Sequence, residues 1–334
     1  MYIVDSYSLA VIFCVLTMLG WGSWANTLKM TPKKWEFPLY YWDYSIGLVL
    51  TTLLFGFTFG SNGDEGRGFL ADLAQAESSA LASAFIGGVI FNLSNLLIVA
   101  ATAIAGMAVA FPIAVGLALV IGVVVNYINT PLGDPYMLFI GLALVVVAIL
   151  VDTAAYRKLP QDVTGNKNKG IIISVISGIM MGFFYKFVAD SMAVDFSTPE
   201  AGLMTPYSAM FVFTIGVFLS NFVFNTWFMY KPVTGGRVTF RDYFRLGSPK
   251  LHLIGILGGL IWCAAMEFNL MAMEKAGPAI SYGLGQGATM ISAAWGVFVW
   301  KEFARAPRGT GKLLTAMFAF FIVGLSLIVI ARLN

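Results

Sequence analysis

The chain has 334 residues, of which 59% are hydrophobic and only 11% are charged. Soluble globular domains carry about 25% charged residues, so this composition excludes a water-soluble protein. The formal net charge of +3 at pH 7 is too small to indicate a nucleic-acid partner.

Ten long apolar stretches follow one another along the chain. A helix needs about 20 apolar residues to cross a hydrocarbon core about 30 Å thick. Because lipid offers the backbone no hydrogen-bond partners, stretches of this length are predicted to be helices. The sequence therefore predicts an all-α membrane protein with ten transmembrane helices. They are placed at 7–28, 39–59, 80–102, 106–128, 135–155, 170–192, 204–230, 252–274, 277–300 and 310–332.

The N-terminal stretch and the two cysteines fit this interpretation. The chain opens MYIVDS, without the basic residues and the cleavage site of a signal peptide, so the first stretch is expected to remain as a helix. Cys14 and Cys263 lie inside apolar stretches. They are predicted to be buried apolar residues and not a disulfide.

The basic residues predict the orientation. Sixteen of the 20 Lys and Arg residues fall in connections on one side of the predicted membrane, whereas only Arg67, Lys275 and Arg332 fall on the other. Positive charge is retained in the cytoplasm, so both termini are predicted to lie outside. The sixteen are Lys29, Lys33, Lys34, Arg157, Lys158, Lys167, Lys169, Lys231, Arg237, Arg241, Arg245, Lys250, Lys301, Arg305, Arg308 and Lys312.

The two halves of the chain resemble each other. Residues 86–116 align without gaps on 257–287, a constant shift of 171 positions, with eight identities. Helices 3 and 4 then correspond to helices 8 and 9. Since each half has an odd number of helices, the halves must enter the membrane in opposite directions, as in many transporters. We predict a first five-helix repeat at 1–155, a cytoplasmic linker at 156–169 and a second five-helix repeat at 170–334.

Ionisable residues inside predicted spans are functional candidates, because a charge in hydrocarbon costs a few kcal/mol or more unless it is paired or hydrated. Glu267 and Lys186 are expected at similar depth, where they would approach each other or share a polar cavity. Asp190, four residues after Lys186, is an alternative partner on the same helix face. Asp43 is predicted about one turn inside helix 2, where it could instead be a charge stabilised by the helix dipole.

Neutral polar and aromatic residues complete the predicted substrate site. Any amide can equally be a contact between helices, but Gln286 is favoured because glycines flank it, and interrupted helices mark transport sites. Tryptophans beside small residues either pack in the core or offer a flat face to a ring compound. The predicted substrate-binding residues are Trp24, Asn92, Asn95, Glu267, Tyr282, Gln286 and Trp295.

Several motifs are absent from the sequence. There is no Walker loop, no HExxH motif and no Cys/His cluster, and His252 is the single histidine. We therefore predict no enzymatic activity, no cofactor and no metal site. Transport would draw on an ion gradient. Glu267 is the first candidate for a proton carrier, because desolvation tunes a carboxyl group for proton exchange, and Asp43 is the second.

Several segments resemble the ureide permeases: MYIVDSYSLAVIFCVLTMLGWGSWAN at the start, YWDYSIG at 41–47, VVVNYI at 123–128 and WGVFVWKEF at 295–303. The resemblance covers nearly the whole chain. It implies the drug/metabolite transporter superfamily, which includes bacterial glucose, ribose and rhamnose porters. It further implies ten helices in two inverted halves and proton-coupled uptake of allantoin, uracil, xanthine or similar compounds. Asp43 and Glu302 match acidic residues of the family.

One feature departs from the plant members, which have a long central loop. The linker at 156–169 is short, as in prokaryotic proteins, so the expected location is a bacterial inner (plasma) membrane. The sequence as a whole predicts an alternating-access proton symporter that imports a small neutral nucleobase, ureide or nucleoside. A monosaccharide carrier, a drug or metabolite exporter, and a receptor or scaffold that binds without transporting are the alternatives.

Overall fold

The computed structural model describes residues 1–159, 166–233 and 235–333. Every regular element in these ranges is a helix, and the only extended pairing in them is an isolated bridge between Met192 and Met204. Most of the predicted linker is described, but its residues 160–165 lie outside the described residues. The chain is thus all-α, as its sequence predicts.

Within the described residues, eight spans are long and apolar enough to cross a bilayer, so the chain is a multi-pass integral membrane protein. The first combines two helices in direct succession, α1 (Tyr7–Ser23) and α2 (Ala25–Lys29). The others belong to α5 (Ser78–Ala105), α6 (Met107–Asn129), α7 (Pro135–Tyr156), α8 (Lys167–Ala189), α9 (Pro206–Tyr230), α11 (Pro249–Ala276) and α14 (Thr310–Ile330).

Two of the ten predicted spans are not among these eight. The second corresponds to α3 (Phe37–Phe57), whose 21 residues are long enough, but whose first half is rich in tyrosine and contains Asp43. The ninth is divided into α12 (Pro278–Gly285), α13 (Ala288–Ala294) and a π-helical turn (Trp295–Val299). The division falls at Gln286 and Gly287, where the flanking glycines weaken helical order.

Two short helices outside the spans have no counterpart in the sequence-based prediction. They are α4 (Phe69–Gln75) and α10 (Phe240–Leu246). A capping box fixes the start of α10. The Thr239 hydroxyl accepts from the Asp242 amide, and the Asp242 carboxylate accepts from the Thr239 amide. These helices begin and end 171 positions apart, which is the shift found in the sequence.

The same shift relates the two longest helices. Helices α5 and α11 each have 28 residues, and both ends differ by 171 positions. Each ends at a glycine with a left-handed φ, +82° at Gly106 and +85° at Gly277, and both have ψ near 150°. Glycine adopts this conformation at little cost, so it ends each helix sharply before the next one begins.

The long helices pack through equivalent glycine contacts. Helix α5 packs against α8 and α9, and α11 packs against α1 and α3. A Cβ at Gly88 would lie 2.0 Å from the Phe213 carbonyl oxygen, and one at Gly259 would lie 2.1 Å from the Tyr44 carbonyl oxygen. Small residues allow backbones to approach this closely in membrane bundles. Helix α6 packs on α8, and α7 packs on α14.

Candidate functional site

A cavity of about 430 Å³ lies between helices of the two sequence halves. Its walls come from α1, α2, α3, α5 and α6 on one side, and from α8, α11 and residues 286–292 on the other. Small-molecule sites commonly have this size and combine apolar walls with a few polar groups. The lining includes Trp21, Trp24, Lys29, Phe37, Phe91, Asn95, Trp262 and Gln286.

Stacked aromatic side chains form one wall of this cavity. Trp21 stacks on Trp262 with ring centroids 5.9 Å apart and an interplanar angle of 14°. Trp262 also contacts Phe91, at 4.5 Å between centroids. Trp24 lies against Tyr44 at 4.9 Å. The indole Nε1 of Trp21 is buried and has no hydrogen-bond partner in the part of the chain that the structure describes. This wall therefore offers a flat apolar face with an N–H donor at its edge.

Three of the predicted substrate-binding residues line the cavity: Trp24, Asn95 and Gln286. Asn95 Nδ2 donates to the Tyr41 hydroxyl at 3.0 Å, which leaves the amide oxygen as a potential acceptor. The Gln286 side chain has no hydrogen bond within the described residues, and its backbone N–H donates to Tyr282 O at 3.1 Å. These side chains supply the amide donors and acceptors that a polar ring compound requires.

Three other predicted residues have contacts elsewhere and do not line the cavity. Asn92 Nδ2 donates to Ser220 Oγ at 2.8 Å and joins α5 to α9. Tyr282 is fully buried, with its hydroxyl 3.2 Å from the Ala118 carbonyl oxygen. Trp295 Nε1 donates to Ser23 Oγ at 2.8 Å. Their polar atoms are used in helix packing, which was the alternative interpretation of such residues.

Glu267 is fully buried in α11 but does not line the cavity. Neither carboxylate oxygen has a hydrogen-bond partner in the described structure. Lys186 forms its ion pair with Asp190, one turn further along, so the expected approach between Lys186 and Glu267 is not observed. Asn129 Nδ2 also donates to Asp190 at 3.0 Å. Glu267 is therefore a buried carboxyl group with no partner among the described residues.

Asp43 lies near the N-terminal end of α3. It is 1% exposed, accepts from the Tyr243 hydroxyl of α10, and lies 2.9 Å from His252 Nδ1. The pKa of Tyr243 is raised, mainly by burial and to a lesser extent by the hydrogen bond to Asp43. The hydroxyl therefore keeps its proton and remains a donor. Asp43 therefore links α10 and α11 to α3 by hydrogen bonds. It is not among the residues that line the central cavity.

We expect Tyr243→Phe to weaken this contact. The change removes one of the donors to a buried carboxylate, which costs about 1–3 kcal/mol of unfolding free energy. The melting temperature of the detergent-purified protein should fall by several degrees. Tyr136→Phe, at a tyrosine that is 78% exposed, is the matched control. Equal melting temperatures for the two variants would contradict a stabilising role for the Asp43 contact.

The cavity extends towards the end of the bundle that carries most basic residues, where Lys29 and Phe37 lie at its margin. The opposite end is closed by hydrogen bonds between the loop around α4 and the loop before α9. Arg67 donates to Asp72 at 3.0 Å and to the Pro199 carbonyl at 2.6 Å. The Asp72 carboxylate accepts from the Thr205 amide at 2.7 Å. These contacts join the loops at the end of the bundle opposite Lys29 and Phe37.

A side chamber of about 160 Å³ adjoins the cavity, and the two share Ala25, Lys29 and Phe111 among their lining residues. Its acidic lining residues are Asp152 and Glu302.

The sequence-based prediction missed Asp152, although an acidic residue within the apolar stretch 135–155 was a usable signal. The aromatic partner Trp262 was also missed, because nothing in the local sequence separates it from a core tryptophan. No metal-binding group of His, Cys, Asp or Glu occurs among the described residues.

Comparison with known proteins gives one family. The family model described as "Ureide permease" matches residues 40–169 and 161–331. Ureide permease 1 of Arabidopsis thaliana is 23% identical to the chain, over 98% of this chain and 98% of the relative. Ureide permease 2 of the same plant is 24% identical, over 96% of each. A probable ureide permease A3 of Vigna unguiculata is 30% identical over 50% of this chain and 46% of its own.

One solved structure, described only as "Crystal structure of protein", matches over 98% of this chain and 99% of its own. The TM-score is 0.58 and the sequence identity is 16%. This likeness concerns the fold alone.

Proposed function

Because the chain belongs to the ureide permease family, we propose that it is a secondary transporter of a small neutral ring metabolite. The substrate class is a ureide, a nucleobase or a nucleoside, all of which combine a flat ring with N–H and C=O groups. The relatives named as ureide permeases support this class. They also support transport and not catalysis as the activity.

The central cavity is the observation that carries the proposal. Trp21 and Trp24 offer ring faces, while Asn95 and Gln286 offer amide groups in the same space. A flat polar ring can stack on the tryptophans and exchange hydrogen bonds with the amides. We assign substrate binding to these four residues. Asn92, Tyr282 and Trp295 support the walls around them.

The proposed topology has ten crossings in two inverted repeats, 1–155 and 170–334, joined by the linker 156–169, with both termini outside. The matched bounds of α5 with α11 and of α4 with α10 support the repeat. The 21 residues of α3 and the broken segment from α12 to the π-helical turn supply the two further crossings. Broken helices at binding sites are common in such carriers.

Alternating access follows from this topology. With the basic residues in the cytoplasm, the cavity faces inward and the Arg67–Asp72 contacts close the outer side. Opening that closure while sealing the inner side would present the same cavity to the outside.

Proton symport, with Glu267 or Asp43 as the carrier, and membership of the drug/metabolite transporter superfamily are further parts of the proposal. The relatives named above come from plants and do not support a bacterial inner membrane.

The first test is thermal stabilisation of the purified protein by a ligand panel at two pH values. A ligand present at 100 times its Kd stabilises the folded state by about 2.7 kcal/mol, which corresponds to several degrees in Tm. We expect allantoin, uracil or adenosine to raise the Tm and glucose to leave it unchanged. A response to glucose alone would contradict the proposal and favour the monosaccharide carrier.

A further inference from the structure

The side chamber contains a carboxylate that the proposed function has not used. Asp152 is 8% exposed, lines the chamber, and has no hydrogen bond within the described residues. Its Oδ1 atom is fully buried without a partner. Buried polar groups are nearly always hydrogen-bonded, so such an orphan requires an explanation.

The donors around Asp152 are already engaged. Lys29 Nζ donates to Glu302 Oε1 at 2.7 Å, and the Tyr156 hydroxyl donates to Glu302 Oε2 at 3.1 Å. Thr153 Oγ1 donates to the Ile149 carbonyl within its own helix.

Two further polar side chains of the chamber also donate elsewhere. Ser292 Oγ donates to the Gly22 carbonyl, and Asn26 Nδ2 donates to the Ser23 carbonyl. A ligand in this chamber must therefore bring its own donors to Asp152.

The charges restrict the ligand further. Lys29 and Glu302 form an ion pair and compensate each other, whereas Asp152 has no ion-pair partner among the described residues. A carboxylate has two oxygens and accepts two parallel N–H bonds in a planar arrangement. A ureido group is neutral and planar and presents such a pair of N–H donors. It therefore matches the carboxylate without placing a second cation beside Lys29.

We propose that the side chamber is the subsite for a ureido group of the transported compound, and that Asp152 is its acceptor. This inference rests on the proposed function. The shared lining residues Ala25, Lys29 and Phe111 allow one molecule to reach both spaces. Its ring lies in the central cavity between the tryptophans, and its ureido chain enters the chamber. Asp152 then determines the preference for ureides over bare rings.

The test compares allantoin with hydantoin, which has the same ring without the ureido chain. Affinities are measured by titration of the purified full-length protein. We expect Asp152→Asn to weaken allantoin binding about tenfold to a hundredfold, the range of a lost hydrogen bond to a charged group. Hydantoin binding should change less than threefold. Asp5→Asn, at an exposed aspartate outside both spaces, makes the same chemical change and should affect neither ligand.

A second measurement needs no variant. Wild-type protein should bind allantoin at least tenfold more tightly than an analogue with two methyl groups on the terminal ureido nitrogen, which has lost that N–H donor. Equal losses for allantoin and hydantoin in Asp152→Asn, or no loss, would overturn the assignment. So would a variant that keeps its preference for allantoin but loses the pH dependence of uptake, because Asp152 would then hold a proton. If the wild type binds none of these compounds or any nucleobase, the proposed function itself fails and the subsite with it.

Discussion

Replacing Glu267 with glutamine is expected to abolish proton-driven accumulation while leaving substrate exchange intact. The carboxyl group is fully enclosed in α11, and both of its oxygens lack partners in the described structure. An ionised carboxylate in such a place costs several kcal/mol. The enclosed arrangement seen here is therefore stabilised when a proton occupies Glu267, whereas a conformation that hydrates the carboxyl group would release the proton. Glutamine mimics the protonated form permanently and cannot change state.

The measurement uses proteoliposomes loaded with unlabelled substrate. One proton moving down one pH unit provides about 1.4 kcal/mol, which corresponds to about tenfold accumulation of substrate. Wild-type protein should show this dependence, and Glu267→Gln should accumulate no more substrate with a gradient than without one. Exchange at equal pH, which needs no net proton movement, should stay within about twofold of the wild-type rate.

Glu65→Gln, at an exposed glutamate, is the matched control and should behave as wild type. Cys263 lies one turn before Glu267 on α11. Tyr207→Phe tests whether the hydroxyl of this buried α9 residue participates. If Glu267→Gln keeps full gradient-driven accumulation, Glu267 is not the carrier. Asp43, which is already bound by Tyr243 and His252, would then have to be tested.

The membrane-spanning helices could be predicted from the sequence because the signal for a span is length and hydropathy, both of which are local. Eight of the ten predicted stretches are single long apolar spans. The short helices α4 and α10 could not be predicted in this way, since seven residues carry too little periodicity and their stability comes from capping and tertiary contacts. The break at Gln286 was indicated by its flanking glycines, but its extent was not.

Site residues were harder to predict because the face that a side chain occupies depends on packing. Asn92 and Asn95 are three residues apart on α5, so they point about 60° apart around the helix axis. Asn95 faces the cavity, whereas Asn92 bonds to α9. Their local sequences, FNLS and SNLL, contain nothing that separates these outcomes. Which asparagine faces the cavity depends on where α9 packs against α5.

Trp21→Ala is expected to have the largest effect on substrate binding. The indole lines the cavity, stacks on Trp262, and has an Nε1–H without a partner. Truncation removes a stacking surface and a donor together, and we expect affinity to fall at least a hundredfold, about 3 kcal/mol. Trp21→Phe keeps an aromatic face but lacks the N–H, so it should lose about fivefold to tenfold. Titration of the purified variants with allantoin or uracil gives both values.

The position of Trp21 depends on Gly285 at the end of α12, and this provides an independent test of the same role. A Cβ at Gly285 would lie 2.7 Å from Trp21 Cζ3, whereas a Cβ at Gly116 would meet no atom within 4 Å. Gly285→Ala should therefore displace the indole and weaken binding nearly as much as Trp21→Ala does. Gly116→Ala should leave binding unchanged. If both glycine variants bind as wild type while remaining folded, stacking on Trp21 is not the basis of recognition, and the amides of Asn95 and Gln286 must supply it instead.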